Sequence, residues 1–196
     1  MSVRGTRFRS CFVGAVLLVV AAPVAAKQVV GVDVPEHVQL GPGATDLTLN
    51  GAGVRTKIVI KVYVGGLYVA APTHDAAAVL ADPGAQRILI HMVRDLESKT
   101  LAEALREGLD ANLSAAELAP LEARIADLTR MLTSRATVTK SSQIFLDYLP
   151  GTGTQVTADG QVMGSIPGED FHVALLKIWL GAKPVDGDLK KAMLGL

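Results

Sequence analysis

The stretch NGAGVRTKIVIKVYVGGLY, residues 50–68, is the most strand-like part of the chain. β-branched residues fill it from Val54 to Val69, and such side chains favour a pleated, half-buried strand. Taken as one uninterrupted strand, a period of two places Ile58, Ile60, Val62 and Val64 on one face. Arg55, Lys57, Val59, Lys61 and Tyr63 share the other, a polar face with one aromatic. Gly51-Ala52-Gly53 permits a tight turn or bulge just ahead. Arg55 is the candidate functional residue, because a guanidinium recognises a carboxylate or phosphate through two parallel hydrogen bonds. The plainer alternative is an edge cap, or a pairing with an acid such as Asp46. Tyr63 has the same parity as Arg55, but eight residues of continuous strand span about 26 Å. A bulge or turn must intervene if both are to hold one group.

Working outward, the valines at 30, 32, 34 and 38 alternate around Pro35, which predicts an N-terminal strand or strand-like arm. Leu47 to Asn50 extends the chain after the turn at Gly41-Pro42-Gly43. Asp75 to Ala81 reads as a short helix and Arg87 to Val93 as a further strand. Thr100 and Glu103 fit a capping box ahead of the stripe Leu101, Leu105, Gly108 and Leu109. Ser114 and Glu117 repeat the box before Leu118, Leu121, Ile125, Leu128 and Leu132, with Pro120 delaying the helix start. Strands are predicted over Gln143–Tyr148, Gly153–Ala158 and Gln161–Ile166, the last two joined at Asp159-Gly160. Glu169 to Leu180 is apolar almost all round, the pattern of a buried helix, and Gly187–Leu194 is a short helix capped by Asp186. With no repeat or linker, this order predicts one α+β domain, helices against a mostly antiparallel sheet.

The 196 residues are 49% hydrophobic and 19% charged, enough for one core without metal or disulfide. Lys plus Arg equals Asp plus Glu at 19 each, so there is no basic excess to neutralise a nucleic acid. Arg4, Arg7 and Arg9 precede an apolar run from Cys11 to Ala22, then Val24-Ala25-Ala26, the pattern of a secretory signal peptide over residues 1–26. Pro23 stops that run after twelve residues, short of the roughly 20 needed to span a membrane. The expected mature domain, residues 27–196, has 16 basic and 19 acidic groups, no cysteine, no membrane span and a periplasmic location. A thiol nucleophile, thiolate metal site and disulfide are thereby excluded.

His37, His74, His91 and His172 do not fall at metal-ligand spacing, and each is expected at the surface or half-buried. Gly164-Ser165-Ile166 lacks the flanks of a nucleophile elbow. The Gly41, Gly51 and Gly151 pairs lack the third glycine of a dinucleotide loop, and all read as turn residues. Glu103, Glu107 and Asp110 lie on one solvated helix face and give little support to a two-carboxylate hydrolase.

The 50–68 stretch resembles the chalcone isomerase superfamily, in which a GxGxR turn precedes a K-[FV]-x-x-x-G-[VL]-Y strand. Trp179-Leu180-Gly181, Pro184-Val185-Asp186 and Leu189-Lys190, with Pro150-Gly151, Gly153-Thr154 and Asp170-Phe171 ahead of them, are similar to its bacterial exported branch. Together these motifs span residues 45–196. The resemblance implies an open-faced β-sandwich, a large antiparallel sheet covered by a layer of helices with a ligand cleft between the layers. The superfamily contains plant enzymes that cyclise chalcones, non-catalytic homologues and plastid fatty-acid-binding proteins.

Residue by residue, Arg55 matches an arginine shared by the enzymes and the fatty-acid binders. Tyr63 falls where the binders have tyrosine and the enzymes threonine. The tyrosine and asparagine that the enzymes present seven residues apart on one helix face are here Leu101 and Gly108. An enzyme lysine is replaced by Met92 and a threonine by Ile178. The resemblance therefore implies no catalytic set and no cofactor, with Arg55, Tyr63, Leu101, Gly108 and Ile178 around a small amphipathic, fatty-acid-like ligand. In that cleft Gly108 is expected to leave room. The enzyme alternative is an isomerase or intramolecular lyase on another substrate, with Arg55 stabilising an oxyanion.

Overall fold

The computed structural model describes residues 26–41, 43 and 45–196. Residues 1–25 of the expected signal peptide lie outside them, and its last residue, Ala26, opens the first strand.

Instead of one N-terminal arm there are three short strands, β1 (Ala26–Val29), β2 (Val32–Pro35) and β3 (His37–Leu40). β1 and β2 form a hairpin through Val30 and Gly31, both at positive φ. β4 (Thr45–Lys57) and β5 (Ile60–Val69) replace the single strand predicted over Val54–Val69. The chain reverses at Ile58-Val59, where no glycine, proline or asparagine marks a turn. The expected shared face of Ile58, Ile60, Val62 and Val64 is thereby broken. β4 also runs straight through Gly51 and Gly53, with a register shift at Asn50.

Next come α1 (Ala76–Ala81), β6 (Gln86–Met92), β7 (Leu96–Glu97) and α2 (Ser98–Asn112). α2 starts two residues before Thr100, so the expected Thr100–Glu103 box is inside the helix and Glu97 is its N-cap, without a side-chain bond. The Ser114–Glu117 box does form, at the head of α3 (Ala115–Leu118). A 3-10 turn at Ala119–Leu121 then carries Pro120 into α4 (Glu122–Leu132). After β8 (Thr137–Val138) follow β9 (Gln143–Leu149), β10 (Gly153–Ala158), β11 (Gln161–Ile166), α5 (Glu169–Leu180) and α6 (Gly187–Met193).

Seven strands make one sheet in the order β11-β10-β9-β6-β5-β4-β3, every pair antiparallel. The fold is α+β, as expected. One face carries the larger core, where Leu67, Ile88, Ile90, Leu146 and Val156 meet the apolar stripes of α2, α4 and α5. Alternation along the strands sends Val64, Tyr68 and Leu89 to the opposite face, which Val32 and Val34 of the β1–β2 hairpin help to cover.

Two polar clusters are buried within this frame. Arg87 and Asp147 face each other across β6 and β9 and pair through two bonds of 2.6 and 2.7 Å, with the guanidinium over the Phe145 ring. His172 is 2% exposed, neither at the surface nor half-buried as expected, because α5 turns it inward. Its Nε2 donates to Gln86 Oε1 at 2.9 Å, and its ring stacks on Tyr148 with centroids 4.3 Å apart. Burial brings its pKa down to about 4.

Candidate functional site

The hairpin at Ile58-Val59 decides how Arg55 relates to Tyr63. Folding β5 back on β4 makes the two residues direct cross-strand partners, and Met92 stands opposite Tyr63 on β6. The spacing that would separate them on one strand instead sets the length of the hairpin. Val62 is left over between the pairs Arg55–Tyr63 and Thr56–Lys61, so a bulge adjoins the site and turns Val62 and Tyr63 both toward the helices.

Tyr63 is 2% exposed, and its hydroxyl accepts a 2.9 Å hydrogen bond from the Trp179 indole N–H. Burial pushes its pKa up to about 12. Arg55 and the Trp179 bond oppose that rise, and Asp186 adds to it. The phenol therefore keeps its proton near neutrality, and that proton has no acceptor among the described residues. Arg55 is half-buried, with its guanidinium carbon 5.6 Å from the Tyr63 ring centroid. Its Nε is buried without a hydrogen-bond partner, and no carboxylate among the described residues lies in ion-pair range of it. The Asp46 pairing is not formed: Asp46 accepts instead from Gln39, at 3.0 Å. Asp186, the nearby acid, is already engaged. Its Oδ2 accepts from the Thr56 amide at 2.8 Å, and its Oδ1 caps α6 through the amides of Asp188 and Leu189.

The glycines of this region serve contact and not turning. A Cβ on Gly51 would collide with the Ala192 carbonyl, and one on Gly53 would come within 2.5 Å of the Ala192 Cβ. A Cβ on Gly65 would come within 3.2 Å of the Leu189 side chain, a tight contact without collision. Only bare backbone lets α6 lie flat on β4 and β5 beside Arg55. Asn50 secures the far end of that contact by donating to the Met193 carbonyl at 2.8 Å.

The other predicted site residues are placed differently. Leu101, Met92 and Ile178 are fully buried in the helix-side core. Gly108 does not leave room for a ligand: a Cβ there would stand 2.7 Å from Ile178 Cγ2 and 3.3 Å from Val185 Cγ1. The helices α2 and α5 approach each other at that point, and the glycine allows it. The structure thus brings Arg55 to Tyr63, and Gly108 to Ile178, as two separate contacts. Trp179, next to Ile178 on α5, connects the second to the first through its bond to Tyr63. A buried indole N–H needs an acceptor, and asking where it goes is the one signal that points to Trp179 from sequence.

A cavity of about 180 Å³ lies elsewhere, between α4 and strands β9 to β11, lined by Met131, Ile144, Val156 and Met163. None of the five predicted site residues lines it. Among the described residues no three His, Cys, Asp or Glu side chains are grouped to hold a metal ion, and no helix is long and apolar enough to cross a membrane.

A search of curated proteins finds no match to this sequence. Among solved structures, a fatty-acid binding protein of Arabidopsis thaliana superposes with a TM-score of 0.59 at 17% identity, covering 84% of this chain and 92% of that one. At that identity the likeness is one of fold. The sequence model of the chalcone isomerase-like family matches residues 26–195, the whole of the sheet and both helices of the Arg55 corner. The chain therefore belongs to the chalcone isomerase-like family.

Proposed function

We propose that this protein is an exported, periplasmic binding protein that takes the carboxylate of an amphipathic, fatty-acid-like molecule between Arg55 and Tyr63, and that it does not cyclise chalcones. One observation carries the reading. Two hydrogen-bond donors, Arg55 Nε and the Tyr63 hydroxyl, stand on paired strands with no acceptor for either. Leaving a buried donor unmet costs about 1–3 kcal/mol, more for a charged group. A carboxylate answers both donors at once. The fatty-acid binding of the Arabidopsis protein with this fold supports the same ligand class. The location rests on the N-terminal sequence pattern.

The absence of a cyclase follows from chemistry. Leu101, Gly108, Met92 and Ile178 have no side-chain donor with which to orient such a substrate or steady developing charge. The seam between α2 and α5 is closed at Gly108, so an acyl tail entering from Arg55 must part Ile178 from α2. Titration of a fluorescent fatty acid tests the reading. Arg55→Ala should weaken binding by about 1.5–3 kcal/mol, the worth of a hydrogen bond to a charged group, with the fold intact. Absence of binding to the wild type, or equal binding to both, returns Arg55 to a structural role. Saturable flavanone formation by the purified protein would overturn the non-catalytic part.

A further inference from the structure

The tip of the β4–β5 hairpin is built against ordinary turn chemistry. A two-residue loop with positive φ at its first position calls for glycine there, yet the residue is Ile58, at φ 62°. A β-branched residue is a rare and strained occupant of that region. Its neighbour Val59 gains no cover from the strain. Ile58 is 92% exposed, Val59 83% and Ile60 48%. Among the described residues six large hydrophobic side chains are exposed, and three of them are consecutive here. A fourth, Val30, projects from the β1–β2 turn, which shares a groove with Lys61 and Lys140. Among the described residues, Asp33 is the only acid lining that groove. Lys57 and Lys61, both exposed, bracket the apolar tip.

We propose that this hairpin tip docks the protein on an anionic phospholipid surface, Ile58, Val59 and Ile60 entering the headgroup boundary while Lys57 and Lys61 meet lipid phosphates. The shape and the charge favour this occupant over a protein. A convex tip of aliphatic side chains has no groove with which to select a complementary surface, but it can sink into a fluid one. Pairing two copies tip to tip would bring four lysines, Lys57 and Lys61 of each, together. Aliphatic insertion flanked by basic residues is the combination that strengthens interfacial binding to anionic lipid. The tip lies three residues from Arg55, so docking would set the Arg55 corner close to the membrane. The docking itself does not depend on what that corner binds.

Co-sedimentation with vesicles of phosphatidylcholine alone, or mixed equally with phosphatidylglycerol, tests the proposal on purified protein, wild type and variants prepared alike. Ile58→Gly with Val59→Ser fits the turn better, so its thermal stability should equal or exceed that of the wild type. Its partition onto the mixed vesicles should fall about tenfold or more, the loss expected from removing fully exposed aliphatic groups that the bilayer would bury. Lys57→Gln and Lys61→Gln should each cost about fivefold on the mixed vesicles and nothing on the neutral ones, and salt should weaken the wild type toward the same level. Three results overturn it: no binding of the wild type to mixed vesicles, unchanged partition of the Gly-Ser variant, or a wild-type dimer that the Gly-Ser variant converts to monomer.

Discussion

His172 gives the most direct test of the buried polar core. Its folded pKa of about 4 lies below the ordinary value of 6.5, because burial disfavours the imidazolium. The unfolded chain therefore takes up this proton first as the pH falls. Stability from the neutral ring is complete above 6.5 and is lost progressively as the pH drops through 6.5 toward 4. Each tenfold difference in proton affinity is about 1.4 kcal/mol, so the full loss is about 3 kcal/mol. That is a large part of the 5–15 kcal/mol typical of a domain. His172 is 2% exposed, so water has little access to a cation there, and its ring is held by the stack on Tyr148 and the bond from Nε2 to Gln86. His172→Phe should keep the stack while leaving Gln86 Oε1 unpaired, at a cost near neutrality of about 1–3 kcal/mol. Urea unfolding followed by the fluorescence of Trp179, the single tryptophan, should show the wild type more stable near neutrality. The gap should shrink, or reverse, by about 3 kcal/mol as the pH approaches 4. Carboxylates common to both proteins cancel in the difference. A gap that stays constant across that range would refute the assignment of a neutral, buried His172.

Two further substitutions examine the packing around the site. Gly108→Ala places a methyl group 2.7 Å from Ile178 Cγ2, and such overpacking should cost about 1–3 kcal/mol. Ile178→Ala removes both γ carbons that the methyl would meet, so in chemical denaturation the double variant should lose less than the sum of the two single losses, and additive losses would show that the two residues do not touch. Asp147→Asn leaves Arg87, whose side chain is only 16% exposed, without its counter-charge. A destabilisation of about 3 kcal/mol is expected, and a change under about 0.5 kcal/mol, the level of ordinary surface substitutions, would mean the pair is solvated.

Helical periodicity made α2 and α4 legible, since a stripe at i, i+4, i+7 has one packing solution, and α5 was legible from a run apolar almost all round. The Asp159-Gly160 hairpin was legible from its turn residues, and the structure places both at positive φ there. The turn at Ile58-Val59 was not, because it lacks every residue type that normally marks one, and a run of β-branched side chains reads as continuous strand. That single omission also hid the pairing of Arg55 with Tyr63. Gly51 and Gly53 were visible as glycines, but their purpose depends on α6, some 140 residues later, and local pattern has no access to such a contact. The Gln86–His172 bond was beyond reach for the same reason: 86 residues separate its partners. Guanidinium chemistry supplied Arg55 as a candidate, and the family resemblance agreed with it. The cleft expected from that resemblance misjudged Gly108, because a missing side chain can mean either a void or a neighbour that has moved in.

The seat of α6 on the glycines of β4 has a consequence for the order of events during synthesis. Thr56 and Asp186, whose bond closes the Arg55 corner, are 130 residues apart. A chain emerging from a ribosome or a translocation channel can lay down β4 and β5 early. It cannot bury the glycine surface or cap the corner until α6 has also emerged. Non-local closure of this kind slows folding, and on the export route proposed above that delay would favour a chain still unfolded when it meets the channel. A tag or fusion placed directly after α6 would act on the last step of that sequence, and so on the assembly of the corner itself.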